Sequence, residues 1–551
     1  MQAQSKKSSS FVKQAGILAA AGILCRIIGL LYRVPLTAII GETGNGYYAP
    51  AYRYYQMILL ISSYSIPVAV SKVISQRLAV RQYQNAQRIF RCSLLYVVVV
   101  GGAASLFAFF GADFLIPGNA AMVLRTLAPT IFLSGLLGVL RGYFQANKTM
   151  VQTSVSQIIE QILNAAVSIG MAWLLMRLFS RESESTRAAW GAVGSAVGTG
   201  AGVLIALVFM LLVYQMNRKV IRRRLKRDHS TGVLSTGEIF KIIIFMVTPV
   251  LLSTCAYNAS SLINQSIYIG LMQSVHAASY EEVLMINGIY DTQAVGLSNI
   301  PIAIASAMAS AILPSIAGSF ETKNKKDVNQ KIRTAIKTIM FIAIPAAVGM
   351  TVLARPIVWL LYASLEEESI DLAGWLLAAL GASIVFYSLS TLSNAILQAV
   401  GKATRPIINA LIALAAQSAV ASLLVAFTDL GIYSLPIAVT VYSFLMCLLN
   451  GISVKQATGY QQEFIDTFFL PFWASVLMGV LAFGVYHGIV WLMPKGYAGN
   501  AVGLLLAMAV GVFVYFAAVL KFGAMGSEEL LSLPGGKMIV RFAAKLHLLK
   551  K

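Results

Sequence analysis

Charge is what this chain most conspicuously lacks. Of its 551 residues only 11% are charged, while 58% are hydrophobic; a soluble globular domain carries roughly 25% charged residues. This excludes a soluble enzyme or binding module and points to a polytopic membrane protein. Acids are scarcer still, with 21 Asp and Glu against 42 Lys and Arg, a formal net charge of +21. A basic excess can serve nucleic acid. Here the basic residues sit in loops between apolar runs, where they act as topology signals, and no nucleic-acid partner is expected. Cysteine and histidine number four each. Cys25, Cys92, Cys255 and Cys447 form no CxxC pair, and the histidines are dispersed. The cysteines are read as small apolar residues, so disulfides, a metal site and a cofactor are not expected. No P-loop, HExxH or GxSxG occurs, so no ATPase or hydrolase chemistry is legible. Period-two alternation does not recur, which argues against a β-barrel.

What the sequence does hold is apolar helix. The pattern predicts an all-α polytopic membrane protein with about 14 transmembrane helices. They fall near ~12–40, 50–76, 90–111, 121–145, 152–176, 188–215, 239–271, 285–318, 335–354, 371–399, 406–427, 433–453, 465–492 and 499–521. Pro35, Pro67, Pro249 and Pro301 lie inside these runs and mark possible bends.

Loop charge alternates. Basic loops carry Arg77, Arg81, Arg88 and Arg91; Arg141 and Lys148; residues 217–229; Lys323 to Lys337; and Lys402 with Arg405. The intervening loops are acidic or mixed, at Glu42, Asp113, Arg181 to Arg187, Glu281 with Glu282, Glu366 to Glu368, and Asp429. By the positive-inside rule both termini are cytoplasmic. Lys537, Arg541 and Lys545 step by four beside apolar residues. That reads as a basic amphipathic helix on anionic membrane lipids, and the run from Arg222 to Arg227 has the same character.

An internal repeat organises the chain. Ile66-Pro67-Val68-Ala69-Val70-Ser71 matches Ile300-Pro301-Ile302-Ala303-Ile304-Ala305, and Gln145 to Thr149 echoes Gln398 to Thr404. The shared order implies two parallel six-helix lobes plus two C-terminal helices, with a substrate path between the halves. The expected domains are 1–232, 233–460 and 461–551.

The stretch Gly16 to Gly41 is apolar yet carries Arg26 and Arg33 and no acid. On a straight helix Gly22, Arg26, Gly29 and Arg33 share a face. Such arginines face a partner or a water-filled cavity. Two readings stand open: ion pairs with acids on neighbouring helices, or a cavity that holds an anion. Other intramembrane charges are Arg53, Glu160 and Asp291. Glu160 fits a protonation site or a structural partner for an arginine. Asp291 fits a coupling acid or a residue facing the outer interface.

With arginines on the first helix, the Gly41-Glu42-Thr43-Gly44 turn, two six-helix halves and two extra helices, the chain resembles the MurJ-type lipid II flippases. Gly16 to Ser71 more closely resembles the SpoVB/YtgP branch of the MOP superfamily, and the likeness covers nearly the whole chain. It implies an alternating-access flippase, not an enzyme, in the bacterial cytoplasmic membrane. Arg26, Arg33 and Arg53 would contact the pyrophosphate of a lipid-linked saccharide, and the last two helices would hold its lipid tail. Some relatives use sodium-binding acids on helices 7 and 11, which have none here. Lipid II is the expected substrate; another polyprenyl-linked unit is the second reading. A cation antiporter of the MATE type is disfavoured, because helix 1 has arginines where such a carrier needs acids.

Overall fold

The computed structural model describes residues 21–522, except positions 23, 65, 148, 227, 229–231, 233, 323, 494 and 495. The basic tail at Lys537 to Lys545 and Ser230 lie outside the described residues. Among those described, secondary structure is helical throughout. In chain order the α-helices are α1 (Leu24–Leu31), α2 (Arg33–Leu59), α3 (Ile66–Ala79), α4 (Tyr83–Phe110), α5 (Ala112–Leu115), α6 (Asn119–Ala146), α7 (Met150–Leu178), α8 (Glu184–Met216), α9 (Arg218–Lys226) and α10 (Thr236–Ser274). They continue with α11 (Tyr280–Ile289), α12 (Gly296–Glu321), α13 (Lys325–Val352), α14 (Ala354–Leu361), α15 (Glu367–Ala379), α16 (Gly381–Ala399), α17 (Thr404–Phe427), α18 (Ser434–Thr458), α19 (Leu470–Leu492) and α20 (Tyr497–Phe522).

Among the described residues, nine helices are long and apolar enough to cross a membrane, or up to eleven if each of two bent pairs is one span. The other segments expected to span, near 50–76, 239–271 and 285–318, are helical as well. A count of fourteen membrane crossings does not follow from these lengths. The first two helices depart most from expectation. The helix expected near residue 50 starts instead at Glu42, because Gly41 alone breaks α2 at φ 68° and ψ −171°. A positive φ is open to glycine at little cost, so no longer loop is needed there.

The chain divides into two compact units, Met1–Gln265 with Ser279–Gly288, and Ser266–Ala278 with Ile289–Lys551. Their internal packing repeats. In the first unit α3 and α4 pack on α6, and α7 packs along α8; in the second α12 and α13 pack on α16, and α17 along α18. A π-helical segment precedes each copy of the Ile-Pro echo, Leu60–Tyr64 before Ile66 and Tyr290–Val295 before Ile300. Each unit has its own apolar core, around Ile74, Ile89, Leu140 and Met210 in the first and Ile316, Ile332, Met340 and Ile396 in the second. The C-terminal pair α19–α20 packs on α13 through Phe341, Met478 and Tyr515, and the Tyr515 hydroxyl donates to the Phe341 carbonyl at 2.8 Å.

Candidate functional site

Within the first unit α2, α6, α7, α8 and α10 wall a cavity of about 320 Å³. Its lining combines amide, hydroxyl and aromatic groups, from Tyr52, Tyr55, Gln56, Gln161 and Asn258 among others, with aliphatic side chains such as Leu60 and Val203. Among the described residues that line it, Arg53 and Glu160 are the charged ones. The tyrosines come from one face of α2, where spacings of four and three put residues 48, 52 and 55 in register. The rings of Tyr48 and Tyr52 stack at 5.4 Å, and those of Tyr52 and Tyr55 lie 5.5 Å apart.

Glycines on α8 set the depth of the opposite wall. A Cβ on Gly194 would lie 2.5 Å from the Ala172 nitrogen, on Gly198 2.1 Å from Ser168 Oγ, and on Gly202 2.6 Å from the Glu160 carbonyl oxygen. Spaced by four, they form one stripe that lets the α7 backbone close onto α8. Ser168 Oγ donates to the Ser195 carbonyl at 3.0 Å and fastens the crossing. Glu160 is thereby held at the cavity by main-chain packing.

The acid does not stand by itself. Arg141 Nη2 donates to Glu160 Oε2 at 2.7 Å, and Arg141 Nε donates to Ser156 Oγ at 2.9 Å. The two side chains are 14% and 21% exposed. Of the two readings of Glu160, the structure displays the arginine partner. That partner is a residue expected in a cytoplasmic loop, yet Arg141 lies inside α6. Sequence reasoning missed it because an arginine near a helix end looks like a loop charge.

The first-helix arginines need a revised geometry. A 41° bend separates α1 from α2, between Arg26 and Arg33. The single straight face drawn through Gly22, Arg26, Gly29 and Arg33 is therefore interrupted at Tyr32. Arg26 is exposed on α1 and Arg33 half-buried at the start of α2. The Cβ position of Gly29 is 3.7 Å from Gln161 Oε1, so α1 abuts the cavity wall. Cys25, next to Arg26, lies within electrostatic range of Glu160 and Arg141, and Arg33 within range of Tyr48 and Tyr52. Arg53 lines the cavity, Arg33 lies within electrostatic range of its tyrosines, and Arg26 is on the helix whose Gly29 meets Gln161. Asp291 lies apart in the second unit, on the π-helical segment Tyr290–Val295. Among the described residues no group of three or more His, Cys, Asp or Glu is placed to hold a metal ion.

The sequence model of the family described as lipid II flippase MurJ matches residues 118–506, well over half of the chain. The chain belongs to that family. It is 24% identical to the lipid II flippase MurJ of Bacillus subtilis (strain 168) over 96% of this chain and 98% of the relative. It is 23% identical to the stage V sporulation protein B of the same organism, over 97% and 99%. A solved lipid II flippase MurJ in an inward closed conformation superposes with a TM-score of 0.65 at 15% identity, covering 92% of this chain and 98% of that one. Membership makes the chain a multi-pass membrane transporter, not an enzyme, and a flippase for a lipid-linked precursor.

Proposed function

We propose that the chain moves lipid II, the undecaprenyl-pyrophosphate-linked peptidoglycan precursor, from the inner to the outer leaflet of the bacterial cytoplasmic membrane, with both termini cytoplasmic. The observation that carries this reading is Arg53 in the wall of a cavity that also presents hydroxyl and amide groups, with Arg33 within electrostatic range of its tyrosines and Arg26 on the adjoining helix α1. Guanidinium keeps its charge at any working pH and grips phosphate oxygens through a planar fork. A pyrophosphate leaving water needs that compensation. Tyrosine rings, amides and hydroxyls suit the saccharide that follows. Glu160 is the candidate coupling acid at the cavity, while Asp291 serves any such role from the second unit. The exposed basic helix α9 and the tail around Arg541 are the proposed contacts with anionic lipid.

A second reading, a different polyprenyl-pyrophosphate-linked unit, is favoured by the equally extensive likeness to the stage V sporulation protein. Both headgroups present the same pyrophosphate, so the arginines serve either. Replacement of the resident lipid II flippase in a depleted bacterium separates them. Growth on this chain supports lipid II, and stable membrane insertion without growth supports the other unit.

A further inference from the structure

The Arg141–Glu160 pair has an unusual setting for a structural ion pair. Each residue sits on a helix that already packs along α8, so the pair is not needed to hold α6 and α7 in place. Its carboxylate faces the cavity that Arg53 also lines. The Arg141 side chain as a whole is 14% exposed. A guanidinium offers five N–H donors, and two of them go to Ser156 and Glu160. Ser156 is fully buried and itself donates to the Thr153 carbonyl, which fixes one edge of the fork. The other edge is held by Glu160.

We propose that Glu160 is a tethered competitor of the substrate for Arg141. Before substrate enters, its carboxylate occupies guanidinium donors that a phosphate oxygen takes afterwards. Glu160 then turns away toward the amides beside it, Gln161 and Asn164. The exchange replaces one oxyanion by another on the same cation, so the guanidinium keeps an anionic partner throughout, and the displaced carboxylate passes to the N–H donors of the two amides. It also limits net affinity. A carrier whose arginines met pyrophosphate without a competitor would hold it too tightly to release. The inference rests on the reading of the site as a lipid-pyrophosphate cavity. It adds Arg141 as a further anion-binding residue and gives Glu160 a role in release.

The test uses the purified full-length protein in lipid nanodiscs. Binding is measured for farnesyl pyrophosphate, with farnesol as the uncharged control and inorganic pyrophosphate to separate a lipid-linked ligand from a free anion. Glu160→Gln should bind farnesyl pyrophosphate about tenfold more tightly than the parent and flip lipid-linked substrate more slowly, because release is retarded. Arg141→Lys keeps the charge, loses the fork and should bind more weakly. In an Arg141→Ala background, Glu160→Gln should give no tightening. Glu160→Asp, which preserves the charge but shortens the reach to Arg141, should tighten binding to a smaller degree and serves if the amide variant does not fold. Affinity unchanged or lowered in folded Glu160→Gln would overturn the proposal. So would tightening that persists without Arg141, since it would reflect general electrostatics. A parent that binds neither pyrophosphate would instead sink the underlying reading of the cavity.

Discussion

At the scale of single residues, an arginine inside an apolar helix is expensive and needs a partner or solvent. Arg53 meets that need in the cavity wall, and Arg141 meets it by pairing with Glu160. Arg53→Ala should reduce flipping at least tenfold while leaving insertion intact, and Arg53→Lys should recover part of it, because charge survives but the fork does not. A flipping assay in proteoliposomes checks both; full recovery with lysine would mean that charge suffices and the fork is not what matters. Gly202 is the second sensitive position. Gly202→Ala puts a Cβ 2.6 Å from the Glu160 carbonyl oxygen, forcing α7 away from α8. It should lower thermal stability and weaken substrate binding together, read by a melting curve and a binding titration. Arg26 and Arg33 were legible from sequence because a charge in an apolar run is conspicuous. The Arg141–Glu160 pair was not, since nothing local relates two residues on separate helices.

At the scale of elements, apolar runs marked out the helices well, because a hydrocarbon environment forces every backbone group to pair within its own segment. Breaks were harder to see. Gly41 stops a helix in one residue through its positive φ, where the sequence suggested a loop. The bend at Tyr32 lies within one turn before Pro35, whose ring nitrogen cannot bond the Leu31 carbonyl, and Pro35 was one of the bend marks in the sequence. The π-helical segments ahead of Ile66 and Ile300 follow from packing, although the echoed Ile-Pro motif pointed to the right places. The start of α10 offers a pH test. Ser235 N–H donates to Glu238 Oε2 at 2.7 Å, and Glu238 N–H donates to Ser235 Oγ at 3.2 Å, a reciprocal cap that satisfies two otherwise orphaned donors. These bonds, the backbone one foremost, lower the Glu238 carboxyl pKa from its model-compound value. A depressed carboxyl stabilises the folded cap above its unfolded pKa and loses that contribution as pH falls through the folded one. Hydrogen exchange at the first amides of α10 should therefore stay protected near neutrality and rise below about pH 4. In Glu238→Gln that rise should be absent. An acid-induced rise that survives the substitution would mean the carboxylate is not the capping group.

At the scale of the whole molecule, the two units repeat one packing scheme and α19–α20 stand outside it. The passage of α10 from one unit into the other was not readable from sequence, because no composition shift marks it. The proposed topology predicts that single cysteines at Ser185 and Ser364 react with an impermeant reagent in intact cells, and that one at Ser230 does not. The reverse pattern would invert the membrane orientation. The pair α19–α20 is nearly free of charge, and the proposed substrate carries a long polyprenyl chain, so a photoactivatable lipid analogue should crosslink there more than to α17–α18. The central claim is that this MurJ-family chain flips a lipid-linked pyrophosphate held by cavity arginines. The most direct measurement is complementation of a lipid II flippase-depleted strain by the parent, Arg26→Ala and Arg53→Ala at matched membrane levels. The account predicts growth with the parent and failure with both variants; growth on both variants equal to the parent would contradict it.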